Sequence, residues 1–226
     1  MPIGGPSIVT SNLKFYIDPA NPRTWDGANV TIFNLVRGSA FGNANVTISS
    51  PTLLSNNLGV FSFNPNNHAN TGFTRGMMGS NCTVSIWFKY SNVGSTNIGP
   101  MIGFQGGGTD FEITKPNGAN YIAVSDNQYI SSMFITQNVY DGNWHQITYG
   151  FGTGKGTIWV DGLWGSTNTF TGAASSTRVI IGGELYAASA SHFIGGQFGP
   201  IKVYDKLLSN VEVAQNFHAI RGRYGV

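Results

Sequence analysis

The sequence predicts an all-β protein, an antiparallel β-sandwich with one short C-terminal helix. Short runs of β-branched and aromatic residues recur along the whole chain, each closed by Gly, Asn, Ser or Pro. Charged residues make up only 10% of the 226 positions against 31 Gly and 9 Pro, a composition that reverses the chain often and starves helices. Helical spacing of apolar residues is found in one segment, near the end.

The elements follow in order. Residues 1–10 read as an extended arm, with Pro2 and Pro6 bracketing a Gly pair. "LKFYID" alternates Leu13, Phe15 and Ile17 against Lys14, Tyr16 and Asp18, and stops at "PANPRTWDG". "VTIFNLV", "NVTISS" and "GVFSFNP" are further strands, and "CTVSIWFKYS" sets Val84, Ile86 and Phe88 opposite Thr83, Ser85, Trp87 and Lys89. Strand signals continue through "PMIGFQ", "DFEITKPNG", "YIAVSDN", "SMFITQ", "HQITYGF", "TIWVDG", "RVIIGGE" and "FGPIKVYD". Composition nowhere breaks, so residues 11–226 form a single domain. In "LLSNVEVAQNFHAI", Ser209 and Glu212 have the spacing of a capping box. Val213, Phe217 and Ile220 follow at helical spacing, and Arg221-Gly222 is the expected stop. Such a helix would close an end of the core.

The stretch 141–162, "DGNWHQITYGFGTGKGTIWVDG", raises the question of a phosphate loop. Lys155 is followed by Gly156 rather than Ser or Thr, and position 149, where a P-loop needs glycine, is tyrosine. Period-two alternation on both sides makes it a hairpin instead, with Asp161-Gly162 as a second tight turn.

Composition removes several function classes. Cys82 is the only cysteine, which excludes an internal disulfide and a thiolate zinc cluster, and its apolar setting predicts a packed side chain. The net charge of +2 gives no case for nucleic acid or an anionic membrane. No apolar run approaches the length of a membrane helix, and the start "MPIGGPSIVTSN" lacks the pattern of a signal peptide. The sequons at Asn29, Asn45 and Asn81 reflect an Asn- and Thr-rich composition.

The order of "LKFYIDPANPRTW", "FNLVRG", "VFSFN", "CTVSIWFK", "GNWHQITYGF" with "IWVDG", and "FGPIKVYDKLLSNVEVAQNF" resembles the concanavalin A-like or laminin G-like jelly-roll sandwiches over nearly the whole chain. The ending "NFHAIRGRYGV" is similar to that of phage-encoded members. That resemblance implies a non-enzymatic virion structural protein, a head decoration or a neck or tail appendage, made in the host cytoplasm. Its partners would be other virion proteins and further copies of itself, met through Pro2, Ile3 and Pro6 of the arm and through Arg221 and Arg223. The alternative is a lectin-like adhesin for host surface glycans, and a glycosidase comes third.

Each alternative needs its own residues, because the fold hosts all of them. A retaining glycosidase needs paired carboxylates; the nearest match is Asp110 with Glu112, about 6.5–7 Å apart along a strand, and the third acid of the family's acidic cluster is replaced by Thr114. Calcium wants six to eight oxygens. Asp18, Asp26, Asp126 and Asp141 lie in turns where capping of neighbouring backbone explains them better, so no cofactor is expected. His68, His145, His192 and His218 show no metal-ligand spacing, and no Gly-x-Ser-x-Gly elbow accompanies them. Glycan binding would rest on aromatic faces: Trp25, Phe73, Trp164 and Tyr186 lie in or beside expected loops, though core packing competes at each. Trp87, Trp144 and Trp159 lie in strands and are expected to pack.

Overall fold

The computed structural model describes residues 6–48, 51–64, 67–91, 99–104, 112–115, 122–126, 129–135, 137–152, 154–169, 178–186 and 189–226. Two eight-stranded antiparallel sheets face each other. The first contains β1 (Leu13–Ile17), β4 (Thr52–Leu54), β5 (Val60–Phe63), β7 (Cys82–Tyr90), β12 (Trp144–Gly152), β13 (Lys155–Val160), β14 (Leu163–Thr169) and β18 (Gly196–Tyr204). Its order is β14-β13-β12-β7-β18-β5-β4, with β1 also paired to β18. The second contains β2 (Thr31–Ile32), β3 (Ala44–Ile48), β6 (Asn67–Thr74), β8 (Gly99–Phe104), β9 (Glu112–Lys115), β10 (Ile122–Asp126), β11 (Tyr129–Ile135) and β15 (Arg178–Ile181). It runs β11-β10-β9-β8-β15-β6-β3-β2. A separate hairpin joins β16 (Gly183–Tyr186) to β17 (Ser189–Phe193).

Period two decides what lies between the sheets. Val84, Ile86 and Phe88 of β7 point inward with Ile147, Tyr149 and Phe151 of β12, and meet Ala69, Phe73, Ile102, Ile113, Val124, Val179 and Ile181 from the second sheet. All are buried, and each large side chain contributes roughly 1.5–3 kcal/mol by leaving water. Aromatic edges meet aromatic faces through the middle: Phe198 lies 5.0 Å from both Phe63 and Phe88, at 69° and 62°. Cys82 belongs to this core, and its burial pushes the thiol pKa far above the usual range.

The hairpin reading of residues 141–162 is what the structure shows. Phe151 pairs with Gly156 and Gly152 with Lys155, and Gly154 takes a positive φ of 75° in the turn. Asp161 and Gly162, at φ 52° and 78°, form the two-residue turn into β14.

The other face of the first sheet is buried as well. Helix α1 (Asn210–Tyr224) begins on the expected capping box, with Ser209 Oγ accepting from Glu212 N and the Glu212 carboxylate from Ser209 N. It lies over the outer face of the first sheet instead of closing an end of the core. Trp87 stacks under Phe217 at 5.6 Å and under Tyr224 at 4.6 Å, and Trp144 lies 4.3 Å from Tyr224. Val213 packs with Trp159, Tyr204 and Leu208. The expected stop at Gly222 is also overrun, since the helix ends at Gly225 in the left-handed conformation, φ 73°. Glycine inside a helix costs about 1 kcal/mol, and the buried ring of Tyr224 two residues on outweighs it.

The arm is likewise part of the fold over its described residues. Val9 N donates to Asn216 Oδ1 at 2.8 Å, Val9 O accepts from Tyr204 OH at 3.0 Å, and Ser7 O accepts from Gln215 Nε2 at 2.7 Å. Backbone groups expected to meet a partner strand are therefore taken up within the chain at Val9. Pro6 is exposed, whereas Pro2 and Ile3 lie outside the described residues.

Candidate functional site

The expected aromatic platform is not brought together. Trp25 plugs the core: its ring lies 5.5 Å from Phe61 and its indole N–H donates to Asn29 O, because the loop after β1 folds back over the sandwich. Phe73 sits in β6 and packs on Phe15 and Phe41 at 5.1 and 4.7 Å. Buried rings offer no face to a ligand, so both are corrected to core residues. Tyr186 pairs with Ser189 in the β16–β17 hairpin, and its side chain lies outside the described set. Trp87, Trp144 and Trp159 pack as expected.

Trp164 alone of the four is seen to stand in water, 59% exposed, beside Leu163 at 73%. Its position follows from the turn: Asp161-Gly162 places Trp164 opposite Trp159 on the outer face, one residue past the hairpin closure. Trp159 is anchored under α1 by a bond from its indole N–H to Asn210 Oδ1 at 2.9 Å, which leaves the edge position uncovered. The Trp164 indole N–H donates to Thr167 Oγ1 at 3.2 Å, so the ring is held along β14.

Polar side chains gather around the same hairpin. Asp161 Oδ1 accepts from Gln146 N at 2.8 Å, and its Oδ2 meets His145 Nδ1 at 2.8 Å and Gln137 Nε2 at 3.4 Å. Asp141 Oδ1 lies 3.2 Å from His145 Nε2 and accepts from Asn143 N, while its Oδ2 accepts from Asn143 Nδ2. Burial opposes the charged imidazole, but the hydrogen bonds and charge of Asp161 and then Asp141 outweigh it and hold His145 above its ordinary pKa. The same contacts act on Asp141: its partial burial is outweighed by the Asn143 and His145 bonds, which hold the carboxyl below the usual range. With a carboxylate on each ring nitrogen, His145 has no free nitrogen for a substrate. Gln137, Asn138, Asp141 and Asn143 remain exposed around it.

The other sequence candidates separate. Arg223 is not a surface contact: it pairs with Asp18 at 2.6 Å and donates to Asn57 O and Gly59 O, tying the end of α1 to the chain before β5. Arg221 is exposed, its guanidinium 5.9 Å from the Phe217 ring. Asp26 caps its own turn through Ala28 N and Asn29 N. Asp18 likewise takes Ala20 N besides Arg223. Asp126 lies opposite Tyr129 in β10. Among the described residues no three His, Cys, Asp or Glu side chains group as metal ligands do. Glu112 lies in β9 opposite Ser125, and Asp110 lies outside the described residues. His68 is buried on β6, which lowers its pKa, His192 pairs with Glu184, and His218 is exposed on α1. The Asp141–His145–Asp161 grouping escaped the sequence reading; its signal was the "DGNWH" turn followed by "DG" at a hairpin's length.

Comparison with known proteins agrees with this architecture. The family described as the concanavalin A-like lectin/glucanases superfamily matches residues 63–214. No curated protein matches in sequence. Among solved structures, a mutant Trypanosoma rangeli sialidase with trans-sialidase activity superposes at TM-score 0.72 and 14% identity, over 97% of this chain and 34% of that one. The botulinum neurotoxin type G receptor binding domain gives 0.62 and 15%, over 92% and 51%. Domain 4 of the extracellular arabinanase AbnA of Geobacillus stearothermophilus, in complex with arabinotriose, gives 0.65 and 13%, over 93% of this chain and 100% of the domain. The chain thus spans a third of the sialidase and half of the neurotoxin domain, and at these identities the likeness is one of fold.

Proposed function

The chain belongs to the concanavalin A-like lectin/glucanases superfamily, and from that premise we propose that it is a non-catalytic carbohydrate-recognition module that reads glycan at the β13–β14 end of the sandwich. The observation that carries this reading is the exposed Trp164 indole, pinned at its N–H and three residues past Asp161, the turn residue that Gln137 and His145 bind; Gln137, Asn138, Asp141 and Asn143 are exposed on the loop so joined to that turn. A flat apolar ring covers the C–H face of a pyranose or furanose, while short amides and carboxylates take its hydroxyls. Support comes from the arabinanase domain, which has the same fold over its whole length and is in complex with arabinotriose. A non-catalytic role is favoured because Asp141 and Asp161 are both engaged by His145, and neither is left free to act as acid or nucleophile. On a glycan array followed by calorimetry, the chain should bind at least one oligosaccharide. Trp164→Ala should weaken that binding about tenfold, a loss of about 1.4 kcal/mol, with the melting temperature unchanged. Binding to no glycan, or equal binding by the variant, would remove this reading.

A second reading, a structural component of a phage particle, rests on the likeness of the chain's ending to phage-encoded members. In this fold Arg223 and Tyr224 of that ending are turned inward, so contacts to neighbours would fall to exposed apolar residues such as Val30, Phe33, Leu58 and Val211. Mass spectrometry of purified particles tests it: stoichiometric amounts are expected, and absence ends it.

A further inference from the structure

Helix α1 covers only part of the outer face of the first sheet. It begins over Trp159, where Asn210 holds the indole N–H, and runs from there towards Trp87 and Trp144. In the other direction, from Trp159 towards Lys155, the same face opens to water. Period two places Trp159, Thr157 and Lys155 of β13 on it, with Trp164, Thr167 and Thr169 as their partners on β14. Exposure follows the pattern: Thr167, Thr169 and Lys155 are exposed, whereas Ser166 and Asn168 are half-buried.

Hydrogen bonds join these residues into one surface. The Trp164 indole N–H donates to Thr167 Oγ1 at 3.2 Å, and Thr167 Oγ1 lies 3.0 Å from Thr157 Oγ1. On the β12 side the surface has a raised border. Gly150 and Gly152 pair with Thr157 and Lys155, and having no side chains they let Leu207 lie directly over Gly150 and Asn81 over Gly152. A Cβ at Gly150 would stand 2.5 Å from Leu207 Cδ1. Leu207 and Asn81 are themselves exposed. On the other side the surface ends at β14, the last strand of its sheet. The result is a shallow trough that starts at the Trp164 ring and runs along the β13–β14 pair to Lys155 and Thr169, about 14 Å at the rise of a strand.

The trough suits a chain of hydroxyl-bearing rings. Each threonine hydroxyl has one hydrogen and two lone pairs; after the mutual bond and the indole N–H are met, Thr157 and Thr167 together keep one donor and two acceptors. Asn81 and Thr169 add neutral donors and acceptors, Leu207 an apolar edge for C–H groups, and Lys155 a charge at the far end. A single sugar is held by a concave pocket that buries most of its surface. Here the floor is nearly flat and one side is open, so a ligand gains contact only by lying along it.

We infer that the trough reads the interior of a linear, neutral oligosaccharide, laid lengthwise with one ring on Trp164 and the following rings over Thr167–Thr157 and Thr169–Lys155. The inference rests on the reading of Trp164 as a glycan face and extends it to a site of about three rings.

The test is titration of the full chain, by calorimetry and NMR, with linear homo-oligosaccharides of arabinose, xylose, glucose and galactose from one to five units long. In at least one series, affinity should rise about tenfold or more from the single sugar to the trimer and change less than about twofold beyond the tetramer. Lys155→Ala combined with Thr169→Ala, both at exposed positions, should remove most of that gain, whereas Trp164→Ala should weaken every length. A single sugar bound as tightly as its trimer, or a double variant that keeps the full gain, would overturn the inference while leaving the recognition module in place. Hits on a glycan array without binding of any of the four series would do the same. An array without hits removes the underlying reading, and this inference with it.

Discussion

His145 carries a carboxylate on each ring nitrogen, which makes its proton part of the fold. Its pKa is raised in the folded chain, so the contribution is complete below the unfolded value of about 6.5 and fades as pH rises through the folded value. Asp141 has the opposite sign: held low, it contributes above its unfolded pKa of about 3.9 and is lost as pH falls through the folded value. The clamp between the 137–143 loop and the β13–β14 turn is therefore strongest from weakly acidic to neutral pH. Melting curves at pH 6 and pH 9 for the native chain and Asp161→Asn check this. The native chain should lose more stability than the variant on going to pH 9. Lys202 titrates over part of this range, but it is common to both proteins and cancels in the difference. Equal slopes would show that the Asp161 contact adds nothing to the imidazole proton's contribution.

At the scale of elements, helix α1 depends on a close approach that only glycine allows. A Cβ at Gly199 would collide with the Tyr224 hydroxyl and come within 2.9 Å of Trp87 Cβ. Gly199→Ala should therefore lift the last turn of α1 off Trp87 and cost roughly 1–3 kcal/mol, read by denaturant unfolding and by tryptophan fluorescence. Gly222→Ala, where a Cβ meets open space inside the helix, should instead be neutral or gain a few tenths of a kcal/mol up to about 1. Much of this element was legible in the sequence, because caps and helical spacing are local: Ser209, Glu212, Val213 and Phe217 act as their pattern implies. Its seat was not, since period two tells which side chains of β7 share a face, and packing was expected of Trp87, but neither says that a helix is what covers that face. β6 was missed for a related reason: "NHANTGFT" is rich in Asn and Gly, which strands disfavour, and its pairing with β3 and β15 supplies what propensity lacks. Trp164 and Trp25 sit in similar sequence surroundings, each beside an Asp-Gly pair. One is exposed and the other buried because only a tertiary contact, here with Phe61, decides whether a loop aromatic is a face or a plug.

Across the whole molecule, both chain ends are fastened to the same layer: Val9 and Asn216 meet over Tyr204, and Arg223 reaches Asp18 just beyond β1. Without α1, the rings of Trp87, Trp144 and Trp159 on the outer face of the first sheet would meet water, together with Lys202 and Gln146. Restoring each large ring to water costs roughly 1.5–3 kcal/mol. Several of them together rival the 5–15 kcal/mol that stabilises an ordinary domain. The helix is thus a third layer of the fold, and the sandwich and α1 should melt in one transition. A chain ending at Leu208 should be insoluble or should unfold well below the native temperature, and limited proteolysis should release no stable fragment lacking α1. Differential scanning calorimetry with the truncated chain decides it. A soluble, monomeric product melting within about 3 °C of the native chain would show that the two sheets stand without the helix, and that the buried layer beneath it adds little to stability.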